Sequence, residues 1–133
     1  MCSSDLDMTL TCPNGTVITL MDTYNGAGPG NVFLGDALDD GSTTPGVCME
    51  YCFDLSAAWG TMTDENIAGN TIPSTVTPGN SILSPGSFQP NDSFNMLVGC
   101  PIDGNWTLTI TDNIGADNGY ICEWGIAINP AIN

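Results

Sequence analysis

The chain has 133 residues and fifteen carboxylates, with no Lys, Arg or His, which gives a formal charge of −15 at neutral pH. Without a cation to release counterions, phosphate-directed nucleic-acid binding is excluded, attraction to an anionic membrane surface fails, and chemistry that needs an imidazole base, a Schiff-base lysine or an arginine clamp has no residue to run it. Hydrophobic residues still make up 41% of the chain, and at this length they support one ordered domain over residues 1–133.

Strand signals recur along the chain and helix signals are sparse. Leu6, Met8, Leu10 and Cys12 alternate with Asp7, Thr9 and Thr11, the period of a half-buried strand. Pro13-Asn14-Gly15-Thr16 supplies a turn, because Asn and Gly tolerate positive φ. Residues 16–21 return as a second strand, so the first expected element is a hairpin. A glycine-rich loop over 22–31 leads to the apolar piece Val32-Phe33-Leu34 and then to an acidic loop holding Asp36, Asp39 and Asp40. A further strand is expected around 49–53. Residues 56–90 are rich in Gly, Pro, Ser, Thr and Asn, which marks long loops or strands too short to show a period. Phe94 to Val98 is apolar again. Trp106, Leu108 and Ile110 then alternate with threonines, the loop 112–119 turns the chain, and Cys122, Trp124, Ile126 and Ile128 alternate on the expected return strand. Two strands sharing an apolar face require a covering layer, so the expected fold is all-β, an antiparallel β-sandwich of jelly-roll type.

The six cysteines are Cys2, Cys12, Cys48, Cys52, Cys100 and Cys122. An even count in a chain of this composition favours disulfides in an oxidising compartment, with the pairing left open. Zinc thiolates are the competing reading, weakened because the close pair Cys48 and Cys52 has neither a second knuckle nor a histidine. Sequons at Asn14, Asn91 and Asn105 fit a secreted surface as a weak signal. No apolar run reaches the roughly 18 residues of a membrane span, and no basic-led signal peptide is visible. Targeting information is expected to have been removed or to lie outside this chain.

Two segments carry a resemblance. Asp5-Leu6-Asp7-Met8-Thr9-Leu10-Thr11-Cys12-Pro13-Asn14-Gly15-Thr16 and Gly99-Cys100-Pro101-Ile102-Asp103-Gly104-Asn105-Trp106-Thr107-Leu108-Thr109-Ile110-Thr111-Asp112, followed by Asp117-Asn118-Gly119-Tyr120-Ile121-Cys122-Glu123-Trp124-Gly125-Ile126, resemble the opening hairpin and the carboxyl-terminal signature of the P domain (P/Homo B domain) of kexin- and furin-type proprotein convertases. The cysteine-bearing form is similar to that in large secreted or surface proteins of gliding bacteria with type 9 secretion. The resemblance implies a non-catalytic, extracellular β-sandwich in a structural or adhesive role, or alternatively an accessory domain bracing a subtilisin-like protease. The family normally has one more strand before the Asp-Leu-Asp motif. Its absence here leaves two expectations: a fragment of a longer chain, or a filament subunit completed by a strand from another subunit. Expected partners are therefore neighbouring domains or other subunits, with no nucleic acid and no direct membrane insertion.

Calcium is the one cofactor to expect, on oxygen ligands among Asp5, Asp7, Asp36, Asp39, Asp40, Asp112 and Asp117. The competing use of such residues is to cap turns by bonding their own backbone. A carboxylate pair for glycoside hydrolysis has no residues placed for it, and a cysteine nucleophile lacks a histidine, so no catalytic residue is assigned. Trp106 and Trp124 read as core residues on the inward phase of their strands rather than as a sugar-stacking platform, while Trp59 and Tyr24 lie in loops. Because fifteen like charges repel without internal neutralisation, the melting temperature is expected to rise with sodium chloride and with calcium. Equal melting temperatures in chelator, in calcium and in high salt would overturn this.

Overall fold

The computed structural model describes residues 6–23, 32–38, 40–113 and 119–128. Seven strands, β1 (Leu6–Thr11), β2 (Val17–Asp22), β3 (Tyr51–Phe53), β4 (Thr71–Pro73), β5 (Ser81–Leu83), β6 (Gly86–Phe88) and β7 (Thr107–Asp112), are joined by one helical turn, α1 (Met62–Ile67), and a 3-10 turn at Phe94–Leu97. The described chain is mostly strand and loop, with no helical bundle.

The expected first hairpin forms. β1 pairs antiparallel with β2, and the Asn14 side chain accepts from the Thr16 amide and hydroxyl to shape the turn. Met8 faces Met21 but Thr9 faces Thr19, so Leu20 is an extra residue in β2. This bulge lets Leu20 and Met21 both turn inward, which strict alternation forbids.

β7 does not pair with a return strand. It lies antiparallel on the other side of β1, with Met8 opposite Ile110 and Leu10 opposite Leu108, giving a sheet of order β2-β1-β7. Residues 119–128 contain no strand, correcting the expected carboxyl-terminal hairpin. The physical reason is that the start of the 119–128 segment is held elsewhere, by the Cys48–Cys122 disulfide and by the Tyr120 hydroxyl donating to the Ser42 carbonyl at 3.5 Å.

The middle of the chain departs further from the expected all-antiparallel pattern. β3 and β6 pair in parallel, Tyr51 opposite Gly86 and Phe53 opposite Phe88. A parallel pair needs a crossover of a dozen or more residues. The stretch read as loop provides it, carrying α1 and the β4–β5 hairpin. Thr61 caps α1 by accepting from the Asp64 amide and donating to its carboxylate, and Asp64 and Glu65 place negative charge at the helix start.

The core forms where one face of the three-stranded sheet meets these elements. Leu6, Met8, Leu10, Ile18, Leu20 and Met21 pack with Val32, Leu34, Met62, Leu83 and Phe88, flanked by Trp59, Trp106, Leu108 and Ile110. Tyr51 joins three segments by donating its hydroxyl proton to the Leu83 carbonyl and accepting from the Gly35 amide. At Gly86 any side chain would drive into the Trp59 ring, which stacks at a tilt against Phe88 with centroids 5.2 Å apart.

Two disulfides close long loops. Cys12–Cys100 spans 88 residues and Cys48–Cys122 spans 74, with Cα atoms 6.1 and 6.5 Å apart. Each constrains the unfolded chain strongly, and together they fit an oxidising compartment. Replacing Cys12 and Cys100 together by Ser is expected to lower unfolding free energy by about 2–5 kcal/mol, measured by denaturant titration of the oxidised proteins. Unchanged stability would show that the β1–β7 ladder holds its register without the bond.

Candidate functional site

The expected carboxylate ligands separate into two places. In the acidic loop, Asp36 is buried, at 2% exposure, and forms an isolated bridge with Val47: each amide donates to the other's carbonyl, at 3.0 and 2.8 Å. Its carboxylate points into the loop after β4, accepting from the Ser74 hydroxyl and the Thr75 amide at 2.5 Å, the Thr75 hydroxyl at 2.6 Å and the Val76 amide at 3.1 Å. Burial alone would raise its pKa, but these hydrogen bonds from Ser74, Thr75 and Val76 outweigh it and hold the carboxyl below its ordinary range. Both oxygens are engaged by protein donors, so Asp36 acts as a clamp between two loops. Gly46 is required beside it, because a Cβ there would collide with the Asp36 carbonyl.

Asp40 caps its own turn. It accepts from the Ser42 amide at 2.9 Å, and the Ser42 hydroxyl and amide lower its pKa. Asp39 lies outside the described residues.

The second group sits at one end of the three-stranded sheet. Asp7 of β1 faces Asp22 of β2 across the ladder and accepts from the Asn113 side-chain amide at 2.9 Å, while Asp112 faces Leu6. Asp22 carries no sequence signal as a ligand, because it stands at the boundary between the alternating stretch 16–21 and the glycine-rich loop. Burial, then the charge of Asp7 and a hydrogen bond with it, raise the Asp22 pKa. Two carboxylates directly opposite on neighbouring strands destabilise the pair when both are ionised. Asp5 and Asp117 lie outside the described residues. Among the described residues, no three His, Cys, Asp or Glu side chains converge on a point that would hold a metal.

Of the cysteines, Cys12, Cys48, Cys100 and Cys122 are bonded, Cys52 is an exposed free thiol on β3, and Cys2 lies outside the described residues. Partial burial and then the neighbouring Glu50 carboxylate raise the Cys52 pKa, so the thiol stays protonated at neutral pH. The sequon residues Asn14, Asn91 and Asn105 are all exposed.

The third feature is an exposed apolar segment, residues 121–128. Trp106 is half-buried against the core as expected, but Trp124 is 47% exposed, contrary to its reading as core, and Ile121, Ile126 and Ile128 are 53%, 42% and 39% exposed. Among the described residues, no strand pairing covers these side chains. The two outer edges of the sheet differ. Residues 91–92 close the β2 edge: the Asn91 and Asp92 amides donate to the Leu20 and Thr19 carbonyls, and Asp92 accepts from the Thr19 amide. On β7, no backbone hydrogen bond joins residues 107–111 to any described residue outside β1. Compared with protein-family models, curated proteins and solved structures, the chain matches none.

The Asp36 clamp generates a pH prediction. A carboxyl whose folded pKa lies below its ordinary value of 3.8 contributes stability that is fully present above that value and lost as pH falls through the folded pKa. Asp36→Asn, which turns an acceptor into a donor facing other donors, is expected to cost about 3 kcal/mol at pH 7. The gap between wild type and variant should narrow below about pH 4. Denaturant titrations of both proteins from pH 7 to 2 measure it, and a gap independent of pH would show that the carboxylate charge is not what holds the clamp.

Proposed function

We propose that this chain is a non-catalytic extracellular module, a P-domain-like β-sandwich with a structural or adhesive role in a larger secreted or cell-surface assembly. The observation that carries this reading is the β1–β7 pairing. The two segments that bear the resemblance come from opposite ends of the chain yet lie side by side in continuous register from Leu6–Asp112 to Thr11–Thr107, with Cys12–Cys100 closing the same end. The disulfides support the extracellular setting. The donor network around Asp36 supports a role for acidic residues in holding loops rather than in chemistry. The exposed 121–128 segment supplies a surface for neighbouring domains or subunits.

The test is mass spectrometry of native material cleaved at Asp and aromatic residues, because a protease specific for Lys or Arg has no site in this chain. Peptides continuous with repeated β-modules or a secretion-sorting segment, recovered from the extracellular fraction, are expected. A Ser-His-Asp protease domain in the same polypeptide would replace the reading with the accessory role. Recovery from the cytosol with reduced cysteines would remove it.

A further inference from the structure

Deepening the module reading above, on which it rests, we propose that the cavity beside Trp59 is a binding site for a cationic side chain, the arginine of a basic segment on a partner protein. The cavity has a volume of about 180 Å³ and is lined by Ala58, Trp59, Gly86 and Ser87. It exists because the residues that border the indole are small: Gly86 brings no side chain to the ring, and a Cβ there would strike it. Trp59 is half-buried and fixed before any ligand arrives. Its backbone bridges Phe88 in parallel, the Gln89 amide donates to its carbonyl at 3.3 Å, and its ring packs on the buried Phe88 ring. Sites for whole small molecules run to about 300–1,000 Å³, so this one suits the tip of a single side chain.

The carboxylates around the cavity choose its occupant. Ser87 stands opposite Cys52 on the β3–β6 ladder, and the Cys52 thiol donates to the Glu50 carboxylate at 3.7 Å. Glu50, Cys52 and Asp54 alternate along one exposed face of the chain at β3, which puts both charges on the same face as Ser87. Beyond the ring, Gly60 follows Trp59. Its amide donates to Glu65 at 2.9 Å, and a Cβ on it would come within 3.8 Å of Asp64 Oδ2. An indole attracts a cation to its face through the ring quadrupole, and carboxylates around a low-dielectric cleft focus a field of the same sign. The chain has no Lys, Arg or His with which to supply that cation, so it comes from another molecule. Arginine answers both features at once, because its planar guanidinium stacks on an aromatic ring and donates in a fork to carboxylates. A metal ion does not, since among the described residues no three ligating side chains converge.

Heteronuclear NMR on the oxidised full chain tests this by following the indole N–H signals, with that of Trp59 assigned by its loss in Trp59→Phe. The probe is the capped tripeptide Gly-Arg-Gly, set against the same peptide with citrulline, which keeps the shape of arginine without its charge. The expected result in low salt is a saturable shift at Trp59 with a dissociation constant of about 1 mM. Citrulline is expected to bind about tenfold more weakly, and about 1 M sodium chloride to weaken the arginine peptide. Ala58→Leu, which fills the cavity from an exposed position and changes no charge, is expected to weaken binding about tenfold with the melting temperature unchanged. Glu50→Gln is expected to weaken it about threefold. Equal binding by wild type and Ala58→Leu overturns the proposal, because the peptide would then be held by overall charge. Equal shifts with citrulline also overturn it, because the indole would then be a platform for neutral ligands. So does the absence of any Trp59 shift up to about 10 mM peptide. None of these outcomes alters the flanking sequence found by mass spectrometry, so the module reading stands or falls separately.

Discussion

A chain without a basic side chain has to satisfy any buried carboxylate with N–H and O–H donors alone, and the arrangement of its loops depends on how it does so at Asp36. The side chain takes donors from Ser74, Thr75 and Val76, and its backbone bridges Val47. One residue therefore ties the acidic loop to the segment at Val47, next to Cys48, and to the turn between β4 and β5. An unpaired buried charge would cost several kcal/mol, so the clamp forms only when all three segments are in place. The same device recurs at lower stakes. Asp92 binds the Thr19 amide, Glu65 binds the Gly60 amide and the Asn70 side chain at opposite ends of α1, and Asp54 binds the amide and hydroxyl of Ser56. Carboxylates here organise backbone where other proteins use ion pairs.

These local ties would not hold a loop-rich chain against its own charge, and the long-range links share that task. The β1–β7 ladder, the two disulfides and Tyr51 join segments far apart in sequence. Loop closure costs entropy that grows only slowly with length. A covalent link across 88 residues therefore offsets a large part of it, at the point where the sheet and the Pro13 turn meet. The core on one face of the sheet adds burial without requiring a full second sheet: α1, β5 and Phe88 cover it instead.

The strands that sit on one face of a sheet with an alternating pattern were legible in the sequence: β1, β2, their turn and β7. So was the inward placement of Trp106. Period alone does not name a partner, so the alternation over 106–110 does not tell β1 from the next alternating segment as its neighbour. The parallel β3–β6 pair was illegible because three-residue strands carry no period. The helical turn carries only a short local signal, Thr61 followed at the third position by Asp64, the pattern of a capped start. The acidic neighbours of Asp36 mark it in the sequence, but its role depends on Ser74 and Thr75, which are 38 and 39 positions away. Residue type gives the chemistry a carboxylate can do, whereas burial and distant donors decide which of it is done.

Natural sheets commonly guard their edges with lysine, a residue this chain lacks. It closes the β2 edge with the backbone of residues 91–92. Uniform negative charge adds to that protection by keeping copies apart at a distance. Ionic strength shifts the balance, since screening shortens the repulsion and leaves hydrogen bonds and apolar burial largely intact. A guard of this kind holds in dilute, low-salt conditions and yields where salt and local concentration are high.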